Sequence, residues 1–152
     1  MKSIYSLLIL VSLSAQSLFA QHASSDFYTK KGAAIAGFDV VSYHTGQPQK
    51  GKKSYAVTYK NTVFLFATPD NQAAFKANPA RYLPQYGGYC AYALATNGKK
   101  VSINPSSFLI ENNQLFLFYN SWGTDTRALW VEAGGSHTLK PKADASWEAL
   151  NQ

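Results

Sequence analysis

The sequence is short of the residues from which most metal and redox chemistry is built. It holds one cysteine and three histidines in 152 residues, and charged side chains make up only 14% of the chain. A single thiol cannot close an internal disulfide, so Cys90 is buried, pairs outside the chain, or binds something. Tetrahedral zinc sites bring four ligands at recognisable spacing, and no such set is written here. A phosphate-cradling glycine loop and low-complexity tracts are also missing. Acids are scarce: eight Asp and Glu against fourteen Lys and Arg leave a net charge of +6. The lysines fall in scattered pairs such as Lys30-Lys31, Lys52-Lys53 and Lys99-Lys100, a pattern that decorates loops. Without a basic stripe, nucleic acid is not an expected partner.

The first twenty residues read as a secretory signal peptide. Met1-Lys2-Ser3 is a short positive start, Tyr5 to Ala15 is apolar, and Ser17-Leu18-Phe19-Ala20 offers a cut after Ala20. The apolar run is too short to span a membrane, and no transmembrane segment is expected once the signal is removed. Three parts follow: a signal peptide over 1–20, a loose polar leader over 21–33 that includes His22, and one domain over 34–150. The expected location is periplasmic or secreted.

Within the domain, Ser54 to Tyr59 alternates, with Tyr55, Val57 and Tyr59 on one face, and Val63 to Phe66 returns after a turn at Asn61-Thr62. Thr68-Pro69-Asp70 starts a helix, and Asn78-Pro79 stops it. A helix is expected from about Tyr89 to Ala95, ended by Asn97-Gly98. Phe108 to Ile110 and Leu115 to Tyr119 form a second hairpin around Asn112-Asn113. Thr124 to Ala133 reads as a helix burying Leu129 and Trp130, and Lys142 to Leu150 as a last short helix holding Trp147. All three tryptophans, Trp122 included, are expected to pack. The fold class is α+β: an antiparallel sheet built from two hairpins, with short helices packed on it.

The chain is organised around Pro84-Gln85-Tyr86-Gly87-Gly88-Tyr89-Cys90-Ala91-Tyr92-Ala93, which carries the sole cysteine and three of the ten tyrosines. A thiol in the first turn of a helix is favoured as thiolate, whereas a free cysteine is also among the most buried residue types.

This run resembles the YHS domain proteins in their exported single-domain form. The resemblance extends over roughly residues 34 to 150. It includes Gly37-Phe38-Asp39-Val40-Val41-Ser42-Tyr43-His44, Tyr59-Lys60-Asn61, Asn78-Pro79-Ala80-Arg81-Tyr82, and Lys142-Ala143-Asp144 with Trp147. Relatives in copper-transporting ATPases and metal-linked oxygenases carry cysteines that suggest metal binding. Here Ser42, Ala67 and Asn71 stand where those cysteines would be, so the soft ligand set of that subtype is absent.

Two classes of function follow. The first is a small-ligand or metal-binding module centred on Cys90, with His44 as a second ligand and Asp39 orienting the His44 ring. A transition metal such as copper is the candidate cofactor. Tyr43, Tyr86, Gly87, Gly88 and Tyr89 would line a ligand pocket, with tyrosine rings amphipathic enough to orient a small molecule. The second is a thiol-dependent enzyme or redox protein, with Cys90 as nucleophile, His44 as base and Asp39 as its orienter.

Overall fold

The computed structural model describes residues 26–152. The expected signal peptide and His22 lie outside the described residues. The architecture is α+β, and the strands pair as four antiparallel two-stranded units.

The first unit is unexpected. Thr29–Lys30 (β1) pairs with Ala33–Ala34 (β2), and just before it Phe27 and Tyr28 are buried in the main core. The leader expected over 21–33 is therefore packed structure from Phe27 onward. Two large rings outweigh the polar residues around them, because burying a Phe side chain contributes about 1.5–3 kcal/mol. Phe27 meets Phe64 edge-on at 5.1 Å and Tyr59 at 6.3 Å, so the segment lies against the first hairpin.

That hairpin is Lys52–Tyr59 (β3) with Thr62–Phe66 (β4), closed by Lys60-Asn61 at φ 45° and 59°. The turn sits one residue earlier than Asn61-Thr62, since Thr62 already pairs with Tyr59. Alternation is as the sequence predicts: Tyr55, Val57 and Tyr59 are half-buried while Ala56 and Thr58 are exposed. Helix α1 (Pro69–Ala77) begins at Thr68, whose hydroxyl accepts from the Asn71 N–H at 3.1 Å, and buries Phe75. One helical turn, Pro79–Tyr82 (α2), follows from the new cap at Asn78.

The glycine pair then serves packing. A Cβ on Gly87 would run into the Asp26 carbonyl, and one on Gly88 into Ile35 Cδ1. The Gly87 carbonyl accepts from the Tyr28 N–H at 2.8 Å, closing the N-terminal segment onto this stretch. Helix α3 (Ala91–Asn97) starts after Cys90, which is its cap residue rather than part of its first turn, and ends at Gly98 with φ 63°.

Asn104–Glu111 (β5) and Gln114–Phe118 (β6) form the second hairpin around Asn112-Asn113, with a bulge that accommodates Pro105. It does not pair with the first hairpin. A further short hairpin, Asn120–Ser121 (β7) and Thr124–Asp125 (β8), leads into α4 (Thr126–Glu132). Trp130 is fully buried there, but Leu129 is 37% exposed because α4 presents only one side to the core. The last helix, α5 (Gly135–Leu150), is two turns longer at its start than the sequence predicts and runs through Pro141. Its start is held by Glu111, which accepts from the Ser136 N–H at 3.1 Å and from the Ser136 hydroxyl. Among the described residues no helix is long and apolar enough to cross a membrane.

Candidate functional site

Cys90 is wholly buried. Its sulfur makes no capping bond to α3; it accepts from the Tyr119 N–H at 3.4 Å and lies 3.3 Å from the Thr126 hydroxyl. That hydroxyl donates to the Tyr119 carbonyl at 2.7 Å, and the Thr126 N–H reaches the same carbonyl at 3.0 Å. On its other side the Cys90 N–H donates to the Val101 carbonyl at 3.0 Å. One residue thus ties the segment that begins at Val101 to the base of the β7–β8 hairpin.

The sequence pairs His44 with Cys90, but the structure gives them separate neighbours. The His44 ring meets Tyr82 edge-on at 5.4 Å. Burial lowers its pKa below the ordinary histidine value; the Arg81 charge lowers it further, and the Asn113 side chain partly opposes both. Asp39 does not orient it. Asp39 is fully buried: Oδ1 accepts from the N–H groups of Val41 (2.9 Å) and Ser42 (3.4 Å), and Oδ2 from the Ala67 N–H (2.9 Å) and Asn71 Nδ2 (2.7 Å). Both oxygens are spent on holding the loop after Gly37 against β4 and α1. Among the described residues no group of three or more His, Cys, Asp and Glu side chains is arranged to hold a metal.

The tyrosines expected to line a pocket are mostly interior. Tyr43 is fully buried and donates its hydroxyl to the Pro105 carbonyl at 2.7 Å; burial raises its pKa far above the usual phenol value. Tyr86 is buried in the second core cluster and donates to Asp144 Oδ1 at 2.9 Å, and burial, followed by that carboxylate, raises its pKa strongly. Gly87 and Gly88 are buried against Asp26 and Ile35. Tyr89 is half-buried between Tyr28 and Trp147, with Lys100 Nζ 5.5 Å from its ring.

Separate from them is an open surface cleft of about 580 Å³, within the volume range of small-ligand sites and lined by none of Tyr43, Tyr86, Gly87, Gly88 or Tyr89. One wall is Ser102 to Pro105 and the other Tyr119 to Trp122, with Tyr28 and Lys30 contributing from the N-terminal segment. Cys90 bonds to Val101, the residue before one wall, and to Tyr119 in the other, and Tyr43 holds Pro105. Between the two walls Asn104 Nδ2 donates to the Asn120 carbonyl at 3.4 Å, while Asn104 Oδ1 accepts from the Ser106 N–H at 3.0 Å.

Trp122 is the residue the sequence reading misplaces. It is 96% exposed at the tip of β7–β8, not packed. The available signal is local: Asn-Ser-Trp-Gly-Thr-Asp is a turn motif, X-Gly between polar residues, with no apolar partner at helical or strand spacing. Comparison with known proteins gives no match to a family model, to a curated protein or to a solved structure.

Proposed function

We propose that this chain is an exported, YHS-like small-ligand-binding module, and that its ligand occupies the cleft whose walls Cys90 helps to hold rather than the sulfur itself. The observation that carries this reading is the double attachment of Cys90, to the residue before one cleft wall and to Tyr119 in the other. The sulfur is enclosed and already in contact with two groups, so it serves as a rivet. Neither a metal at Cys90 nor a Cys90–His44 nucleophile and base is favoured by this arrangement, because the thiol has no open side and His44 has other neighbours. The convergence of Ser42, Ala67 and Asn71 on Asp39 supports the YHS-like part of the reading. The three positions that carry cysteines in metal-linked YHS domains meet at one carboxyl group, Ser42 and Ala67 through main-chain N–H groups and Asn71 through its side-chain amide.

A screen of neutral, cationic and anionic small molecules by backbone amide shifts tests the proposal. The expected hit moves the amides of Ser102, Asn104 and Tyr119 while the native fold is kept. Hits confined to other faces of the molecule, or a stoichiometric metal lost on Cys90→Ser, would overturn it.

A further inference from the structure

Trp122 combines two unfavourable features. Its φ is 51° and that of Gly123 is 77°, so the tip is a two-residue turn with both central residues left-handed. Asn and Gly suit this turn; for a bulky side chain at its first position the conformation is unfavourable. An indole 96% exposed recovers none of that by packing. A single exposed apolar side chain is ordinary on a surface, but one held in a left-handed turn on the rim of a cleft points to a role toward something outside the fold.

The chemistry of the cleft narrows the partner. Around the exposed indole stand hydroxyls and amides: Ser102, Ser121, Asn104 and Asn120. Lys30 is the only charged residue of the lining, and no acid lines it. An anionic polymer would be met by several cations and a metal ion by carboxylates. A membrane surface would be met by a cluster of apolar tip residues flanked by basic ones, whereas this tip reads Asn-Ser-Trp-Gly-Thr-Asp. Neutral amides and hydroxyls beside flat rings (Trp122 at the rim, Tyr28 and Tyr119 in the walls), with Ile103 and Pro105, fit a ligand with a C–H face and hydroxyl edges. The Asn104 amide is already fixed by Ser106 and Asn120, so it is oriented before a ligand arrives.

We infer that the cleft binds a neutral saccharide, one ring of which lies with its C–H face on Trp122 while its hydroxyls meet the Asn104 and Asn120 amides and the Ser102 and Ser121 hydroxyls. This rests on the cleft being the ligand site, as proposed above, and adds the class of ligand and the residue that selects it.

Titration of the protein and of Trp122→Asn with chitotetraose, cellotetraose and maltotetraose, followed by tryptophan emission and backbone amide shifts, tests the inference. Asn is at home in a left-handed turn position, so the variant is expected to fold with an equal or higher melting temperature. At least one oligosaccharide is expected to move the emission to the blue and shift the Ser102, Asn104 and Ser121 amides. Affinity in Trp122→Asn is expected to fall roughly tenfold or more, the equivalent of about 1.4 kcal/mol. Equal saccharide binding by the variant overturns the inference. So does an emission shift with phosphatidylglycerol vesicles and none with saccharides, which would mark the tip as a membrane-surface contact. If all three oligosaccharides fail while another small molecule shifts the cleft amides, the saccharide assignment falls and the binding module stands. If nothing shifts those amides, both fall.

Discussion

Asp39 and Trp122 are opposite misfits. One is an acid with no exposed surface, and the other an indole with almost all of its surface exposed. Burying a carboxyl group is costly unless hydrogen bonds compensate, and Asp39 has four donors from three separate segments. Trp122 has no compensation inside the molecule. The contrast separates structure from recognition: a polar group inside is explained by its partners in the fold, while a single apolar group outside is ordinary unless, as at Trp122, it is also held in a left-handed turn on a cleft rim.

Breaking the Asp39 side of this comparison should have the largest effect. Asp39→Ala leaves the buried Val41 and Ala67 N–H groups and the part-buried Asn71 amide without their acceptor, and about 3–5 kcal/mol of stability should be lost. Urea unfolding of the variant measures it, and a loss below 1 kcal/mol would show that water reaches these donors. Cys90→Ala comes next, at about 1–3 kcal/mol, because it empties a buried site and leaves the Tyr119 N–H unpaired. The loss should be accompanied by faster hydrogen exchange at the Tyr119 and Thr126 amides; exchange unchanged at both would argue against the rivet.

His44 gives a smaller, pH-dependent effect. Its folded pKa is lowered by burial and by Arg81, so the unfolded chain takes up the proton more readily. The neutral ring's contribution is fully present above the unfolded value of about 6.5 and is lost as pH falls through the lower folded value. Stability should therefore decline from pH 7 downward, and His44→Gln should flatten that part of the curve in a series of thermal melts. The smallest change belongs to Trp122→Asn, expected to be neutral or stabilising by up to about 1 kcal/mol through relief of left-handed strain. A clear loss of stability would mean that the indole packs after all, and would remove the contrast with Asp39.

Much of the fold is legible from local pattern. Alternation at Tyr55, Val57 and Tyr59, the Asn112-Asn113 turn and the Thr68-Pro69 start each depend on neighbours a few residues apart, and each is found where expected. The site is less legible because it depends on distant contacts. Tyr43 looks like a pocket residue until Pro105, 62 positions away, takes its hydroxyl. Asp39 looks like a partner for His44 until Ala67 and Asn71 occupy it. The burial of Phe27 is hidden by the polar residues before it, and the early start of α5 by Pro141, since Glu111 holds that helix end from another element. Trp122 is misread for a different reason: tryptophans usually pack, and composition alone says nothing about the one that does not.

The most direct test of the account is the reactivity of Cys90 in the folded protein, followed with an aromatic disulfide reagent across a urea series. If the thiol is a rivet for the cleft walls, labelling occurs only through global opening, and its rate rises with urea along the same slope as unfolding. Rapid labelling without urea, at a rate indifferent to it, would place an open, reactive thiol where the account has an enclosed one, and would return the chemistry of this protein to Cys90.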